Sequence, residues 1–90
     1  LFVSEVGVAD ARDTVRAEYI TTAVQNVYRA IEDGVSVTGF LYWSLLDNYE
    51  LALGYDARFG LVEVNYVTLE RTIRPSAQVY AKICRENAVE

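Results

Sequence analysis

The side chains of residues 43–60 are of the types that bind sugars. This stretch reads Trp-Ser-Leu-Leu-Asp-Asn-Tyr-Glu-Leu-Ala-Leu-Gly-Tyr-Asp-Ala-Arg-Phe-Gly, a mixture that a packed core rarely needs. Aromatic faces stack on the apolar faces of pyranose rings, and carboxylates and amides hydrogen-bond the hydroxyls around the rim. The stretch therefore predicts a sugar-binding surface, with stacking residues among Trp43, Tyr49, Tyr55 and Phe59. The alternative for these aromatics is core packing, which fits Tyr49 better than Trp43.

The carboxylate of Glu5 is a second candidate group. Residues 1–3 (Leu-Phe-Val) predict a short buried strand that ends within residues 4–7, so that Glu5 follows its carboxyl end. In α/β proteins ligands bind at this edge of the sheet. Taken alone, Glu5 is better explained as a solvated loop acid, and a functional role needs further support.

A helix and a second strand bring the two candidates together. A stripe of apolar residues at helical spacing starts after Thr14, with Asp10 or Asp13 as its cap, and Gly34 ends the helix. Its members are Ile20, Val24, Val27 and Ile31, widened by Ala23 and Ala30. The apolar run of residues 35–44 then predicts a strand covered on both faces, as in a parallel sheet. This βαβ unit, with a right-handed crossover, places Trp43 beside Glu5.

The rest of the chain predicts a loop, a hairpin and a closing helix. Residues 45–60 form a long irregular loop, and residues 61–66 and 69–73 form two short strands joined through residues 67–68. Pro75 suits the first turn of a helix. The apolar face of that helix consists of Val79, Tyr80, Ile83 and Cys84, and its end is at Asn87.

The composition limits the possible functions. The 90 residues make at most one small domain, and a net charge of −5 with only eight Lys and Arg argues against nucleic-acid or anionic-membrane partners. There is no histidine, and we expect neither a metal site nor a cofactor. The single Cys84 predicts a buried thiol and an intracellular, cytoplasmic setting. No run reaches the length of a membrane span.

The apolar fraction is high for so short a chain. Hydrophobic residues make up 52% of it and charged residues only 23%, so part of the apolar surface is expected to meet a partner; the alternative is a well-filled core. The chain also begins within a strand and has no initiating Met, so we expect it to be part of a longer protein.

Several motifs of this sequence resemble one enzyme family. The residues that carry the resemblance are Glu5-Val6-Gly7-Val8-Ala9-Asp10-Ala11-Arg12-Asp13, Arg16, Tyr19, Arg29-Ala30-Ile31-Glu32-Asp33-Gly34, Gly39-Phe40, Trp43-Ser44-Leu45-Leu46-Asp47-Asn48-Tyr49-Glu50, Gly54-Tyr55, Arg58-Phe59-Gly60-Leu61, Pro75-Ser76-Ala77 and Tyr80. Together they resemble the C-terminal part of family 1 of the retaining β-glycosidases, and most of all its archaeal-type enzymes.

The resemblance implies a fold and a set of roles. The family is a TIM (β/α)8 barrel, and this chain would be a βαβα quarter of it with a β-hairpin insertion. Residues 1–34 would be the seventh strand-helix unit, and residues 35–90 the eighth strand, subsite loop, hairpin and closing helix. Glu5 would be the catalytic nucleophile and Trp43 an aromatic wall of the −1 subsite. Glu50 would accept hydrogen bonds from the sugar's O4 and O6 hydroxyls, and Phe59 would close the floor near O6.

Three positions depart from the family pattern. Val6 replaces an Asn beside the nucleophile, Leu51 replaces the Trp that usually follows the binding Glu, and Ala23 replaces a frequent His. Each change exchanges a polar group for an aliphatic one, which suggests relaxed catalytic demand or a redesign for packing.

The family's acid/base Glu, in an Asn-Glu-Pro context, is absent from the sequence. Two strands alone would also leave both sheet edges unpaired. We therefore expect the isolated chain to be inactive and unstable as a monomer. Two alternatives to an enzyme segment remain open at this point. One is a catalytically inactive quarter-barrel module that associates with copies of itself, and the other is a carbohydrate-binding surface without chemistry.

Overall fold

The computed structural model describes residues 1–89, in which four short strands and two helices follow one another. Their order and bounds are β1 (Phe2–Val6), α1 (Arg16–Glu32), β2 (Gly39–Tyr42), β3 (Val62–Val64), β4 (Arg71–Ile73) and α2 (Pro75–Glu86). The strands make two separate two-stranded sheets, β1 with β2 and β3 with β4.

The β1–β2 pair is parallel, as the βαβ prediction required. Phe2 lies opposite Gly39, and Val6 lies opposite Tyr42. Between Val3 and Val6 the register shifts, because β1 advances by three residues while β2 advances by two. An extra residue of this kind bends a strand and redirects side chains. Glu5 lies in this irregular part of β1, so the prediction that it follows the end of the strand is wrong.

The helix α1 starts two residues later than the apolar stripe suggested. Its N-cap residue is Val15, which makes no side-chain cap, so the prediction of Asp10 or Asp13 as the N-cap is wrong. Asp10 nevertheless supplies the missing acceptor from upstream, since its Oδ2 accepts the backbone N–H groups of Val15 and Arg16 at 2.8 and 3.1 Å. Gly34 follows the helix with a φ of 95°, a left-handed conformation that favours glycine.

The hairpin and the closing helix were predicted in kind. β3 and β4 are antiparallel, with Glu63 opposite Thr72, but each strand is only three residues long. Pro75 opens α2, and Asn87 ends it in a left-handed conformation. Cys84 on this helix is exposed, so the prediction of a buried thiol is wrong for the described residues.

Most of the apolar surface of residues 1–89 is not covered. Only Ile20, Leu61 and Val64 are buried apolar residues, and the strand predicted to be covered on both faces leaves Leu41 53% exposed. The fully or nearly buried polar residues are Arg16, Ser44, Asp47, Arg74 and Ser76. Polar interactions, more than a core, therefore hold the segments together. No helix in this part of the chain is long and apolar enough to cross a membrane.

Candidate active site

Glu5 and Trp43 lie at the same end of the β1–β2 pair. The backbone N–H of Trp43 donates to the carbonyl oxygen of Val6 at 2.7 Å, which extends the strand pairing by one step beyond Tyr42. The Glu5 side chain is exposed, and within residues 1–89 it has no hydrogen-bond or ion-pair partner. The carboxylate is thus open to whatever occupies this edge of the sheet.

Gly7 fixes how closely the loop after β1 approaches the end of β2. A Cβ atom on Gly7 would overlap the carbonyl oxygen of Trp43 and lie 3.4 Å from Cδ1 of Phe59. Only glycine allows the backbone to pass at this distance. Phe59 is therefore brought to the same edge as Trp43, next to the residues that follow Glu5.

The indole of Trp43 and the carboxylate of Glu50 are in contact. Trp43 Nε1 donates to Glu50 Oε2 at 3.2 Å, and the Trp43 side chain is 40% exposed. A tight turn presents Glu50, because its backbone N–H donates to the carbonyl oxygen of Gly54 at 2.8 Å and its own carbonyl oxygen accepts the Leu53 N–H at 3.0 Å. Leu51, at the tip of this turn, is 94% exposed.

Asp47 lies beneath this loop and is the most heavily hydrogen-bonded side chain of the site. Its Oδ1 accepts from the backbone N–H of Gly60 at 2.9 Å and from Arg74 Nη1 at 2.8 Å. Its Oδ2 accepts from Arg74 Nη2 at 3.1 Å, Arg58 Nη1 at 3.1 Å and the backbone N–H of Val64 at 3.2 Å. We call Asp47, Arg58 and Arg74 the Asp47 cluster.

The charge of Asp47 is stabilised in its buried position. Burial by itself would raise the pKa of this carboxyl, but the hydrogen bonds from Arg74, Gly60 and Val64 outweigh burial and hold the pKa below its ordinary value. The ionised form therefore persists at neutral pH. The hydrogen bonds occupy both carboxylate oxygens of Asp47. We therefore assign Asp47 a structural role and no role in proton transfer.

Arg16 links the loop after β1 to the end of β2. The arginine is completely buried. Its Nε donates to the Tyr42 hydroxyl at 3.0 Å, its Nη1 to Asp13 Oδ1 at 2.6 Å, and its Nη2 to the carbonyl oxygen of Arg58 at 2.7 Å. The Tyr42 hydroxyl in turn donates to the carbonyl oxygen of Phe59 at 3.1 Å. The backbone that carries Phe59 is thereby fixed to β2 through Tyr42 and to α1 through Arg16.

A row of tyrosines extends from the Asp47 cluster to the surface. The guanidinium of Arg58 lies 4.6 Å from the ring centroid of Tyr66, Tyr66 lies 4.5 Å from Tyr55, and Tyr55 lies 5.1 Å from Tyr49. Tyr49 and Tyr55 are 56% and 53% exposed, so the packing role favoured for Tyr49 is only partial. Burial raises the pKa of Tyr66.

Sequence reasoning missed the charged residues that support the site. Asp47, Arg58 and the polar Ser76 enter the resemblance only as parts of motifs, and Arg74 belongs to none of these motifs. The one local signal of this support was the position of Asp47 directly after the apolar residues 45–46. An acid that is buried with apolar neighbours needs partners that compensate its charge. Among residues 1–89 no group of three or more His, Cys, Asp or Glu is arranged to hold a metal ion.

Two neighbouring parallel strands joined by a helix are the repeating unit of α/β folds, which place their sites at the carboxyl ends of the strands, as α/β barrels do. Comparison with solved structures agrees. The chain superposes on the β-glycosidase from the hyperthermophile Thermosphaera aggregans with a TM-score of 0.96 at 44% identity, covering 100% of this chain and 19% of that one. With the β-glycosidase from Pyrococcus horikoshii the TM-score is also 0.96, at 48% identity, covering 100% of this chain and 21% of that one.

Comparison with sequences defines the family. The model of glycosyl hydrolase family 1 matches residues 2–89. A β-galactosidase of Sulfolobus acidocaldarius is 46% identical over 89 residues, and the β-glucosidase A of Acetivibrio thermocellus is 42% identical over 87 residues. These alignments cover 99% and 96% of this chain but only 18% and 19% of the relatives. The chain belongs to glycosyl hydrolase family 1 and is part of a TIM barrel.

Proposed function

We propose that this chain forms the last two strand-helix units of a retaining β-glycosidase, a βαβα quarter barrel that supplies the nucleophile and one side of the −1 sugar subsite. The contact between Trp43 Nε1 and Glu50 Oε2, next to an unpartnered Glu5, is the observation that carries the proposal. A sugar ring stacked on Trp43 would have its hydroxyls within reach of the Glu50 carboxylate.

The reaction would follow the double-displacement course. Glu5 attacks the anomeric carbon while an acid/base carboxyl outside this chain protonates the leaving oxygen, the two carboxyls being about 5–5.5 Å apart. Water then releases the sugar from Glu5. Trp43 forms the wall of the subsite, Glu50 binds the O4 and O6 hydroxyls, and Phe59 closes the floor.

The substrate class follows from the relatives. They include a β-galactosidase and a β-glucosidase, so we infer β-D-glucosides or related β-glycosides as substrates. The other strands of the barrel are the natural partners of the uncovered apolar residues. A cytoplasmic location remains a prediction from the single cysteine.

A complete-barrel chimera tests the proposal. In the Thermosphaera aggregans β-glycosidase, the segment that superposes on this chain is replaced by residues 1–90. The chimera should hydrolyse an aryl β-D-glucoside, and Glu5→Gln should abolish turnover while leaving the protein folded. Glu63→Gln, which changes an exposed carboxylate of β3, is the matched control. Full activity of the Glu5→Gln chimera would reject the proposal.

Self-association of the isolated chain is a second candidate, supported by the small number of buried apolar residues. Four copies could close an eight-stranded barrel through the free edges of β1 and β2. Light scattering after size exclusion decides between the two, because a stable monomer at low concentration contradicts the assembly.

A further inference from the structure

We propose that Asp47 is a positioning residue for sugar recognition. It holds the loop so that the carboxylate of Glu50 lies next to the C6 side of a sugar stacked on Trp43. This inference rests on the proposed function. It concerns a residue that does not itself face the site, since the Asp47 side chain is fully buried.

Asp47 closes the base of the loop that carries Glu50. Its backbone N–H donates to the carbonyl oxygen of Val62 at 3.1 Å, and its Oδ1 accepts the N–H of Gly60 at 2.9 Å. A Cβ atom on Gly60 would overlap the Asp47 nitrogen and lie 2.6 Å from the Val62 oxygen. Residues 48–59 therefore leave and return at one point, and Glu50 lies only three positions beyond it.

The two arginines tie this point to different parts of the chain. Arg74, which directly precedes α2, makes a fork with both oxygens of Asp47, and it also donates to the carbonyl oxygen of Gly60 at 2.6 Å. Arg58, near the far end of the loop, donates to Asp47 and to the carbonyl oxygen of Val64 at 2.7 Å. An ionised carboxylate can accept all these bonds at once, and an amide cannot.

The height of Glu50 is set from the same base. Next along the loop, Asn48 Nδ2 donates to Ser44 Oγ and to the carbonyl oxygen of Leu46, both at 3.2 Å. The turn between Glu50 and Gly54 and the bond from Trp43 Nε1 to Glu50 Oε2 follow. Trp43 itself is held by the pairing with Val6. If the Asp47 end of this short span moves, we expect Glu50 to shift relative to Trp43, because the bonds of Asn48 lead to Ser44 and Leu46 at the same base and Glu50 is held to the end of β2 by the single bond from Trp43 Nε1.

The test compares two substrates in the complete-barrel chimera. An aryl β-D-glucoside has the C6 hydroxymethyl group, and an aryl β-D-xyloside lacks it. Asp47→Asn should lower kcat/KM for the glucoside by about tenfold more than for the xyloside, the value of one lost hydrogen bond to a charged group. Glu50→Gln should show the same selectivity, and the double variant should add little to either single change.

Asp56→Asn is the matched control, because Asp56 is an exposed acid of the same loop. Equal losses for glucoside and xyloside in Asp47→Asn would overturn the inference and leave Asp47 with a purely structural role. If Asp47→Asn does not fold, Arg58→Lys decides by the same ratio, since it loosens the cluster without removing its charge. A chimera that stays active after Glu5→Gln would reject the proposed function instead, a result distinct from either outcome.

Discussion

The carboxylate of Asp13 accepts two hydrogen bonds from Ser76, in the first turn of helix α2. The Ser76 backbone N–H donates to Oδ2 at 2.9 Å, and the Ser76 hydroxyl donates to Oδ1 at 2.6 Å. The N-cap residue of α2, Arg74, makes no side-chain hydrogen bond to the helix. Asp13, which lies 63 residues before Ser76, instead accepts a free N–H group of the first turn. The same carboxylate pairs with the buried Arg16. One side chain thus joins the loop after β1, helix α1 and helix α2.

Asp13→Asn should therefore destabilise the complete-barrel chimera by about 3 kcal/mol, because it removes the charge that compensates a buried arginine. Asparagine tolerates the left-handed backbone at this position, where φ is 59°. The loss of stability therefore reports the effect of the charge and not of the backbone conformation. The midpoint of thermal unfolding measures the effect. Asp33→Asn, an exposed acid at the end of α1, should leave the midpoint unchanged or slightly higher. Equal midpoints for the two variants would contradict the role of Asp13.

Gly7→Ala should reduce activity strongly, because a methyl group at this position overlaps the carbonyl oxygen of Trp43 and must push the two strand ends apart. We expect a loss of kcat/KM of about a hundredfold, the scale at which a displacement of about 1 Å acts on catalytic geometry. Gly54→Ala is the comparison: its φ of 64° adds about 1 kcal/mol of strain, but its Cβ meets no neighbour. Steady-state kinetics of both variants check the prediction, and an active Gly7→Ala enzyme would refute it.

Acid should destabilise this part of the barrel through its anchoring carboxylates. For Asp10, Asp13 and Asp47 burial acts to raise the pKa, but hydrogen bonds outweigh it and place each pKa below the ordinary value of 3.8. A depressed pKa in the folded state stabilises the protein above 3.8, and this stabilisation is lost as the pH falls through the depressed values. The unfolding midpoint should fall less steeply with acid in Asp47→Asn than in the unchanged chimera. Parallel curves would show that the pKa of Asp47 does not differ between the folded and the unfolded chain.

Leu51→Trp should strengthen sugar binding, because it returns an indole N–H to the tip of the Glu50 turn, where the family usually has one. One additional neutral hydrogen bond corresponds to a gain in kcat/KM of about threefold to tenfold. Leu51 is 94% exposed, so we expect no change in stability. Leu53→Trp, at an exposed position of the same turn, is the control and should give no gain. A gain of the same size in both variants would mean that hydrophobic area alone is responsible.

The repeating patterns of the sequence predicted the elements, and the exceptions are local. Helix α1 followed from the spacing of Ile20, Val24 and Val27, and α2 from Pro75 and Asn87. The predicted second strand, residues 35–44, is longer than the observed β2, because an apolar run does not by itself distinguish a strand from other apolar segments. Strand pairing ends where Trp43 and Ser44 turn into the loop, which apolarity cannot reveal.

The roles of the candidate site residues stay predictions, and their buried support was not foreseen. Trp43, Glu50 and Phe59 were identified by the resemblance, whereas the contacts of Asp47 with Arg58 and Arg74 span 11 and 27 positions. Such pairs carry no periodic signal, and many arrangements of the same charges would satisfy the same sequence. The buried arginine at position 16 is a similar case, since arginines are almost always exposed unless paired.

The parallel direction of β1 and β2 has a consequence for handling the isolated chain. Within residues 1–89 each strand has one neighbour, so β1 offers one free edge and β2 offers another of a different kind. A copy that adds its β1 to the β2 of another copy leaves the same two edges at the ends, which is a head-to-tail contact. Such growth stops only if the ring closes, and otherwise it continues as a fibre. Dilution, or early binding to a partner that covers the free edges, would therefore keep this chain in solution, whereas a more stable fold would not.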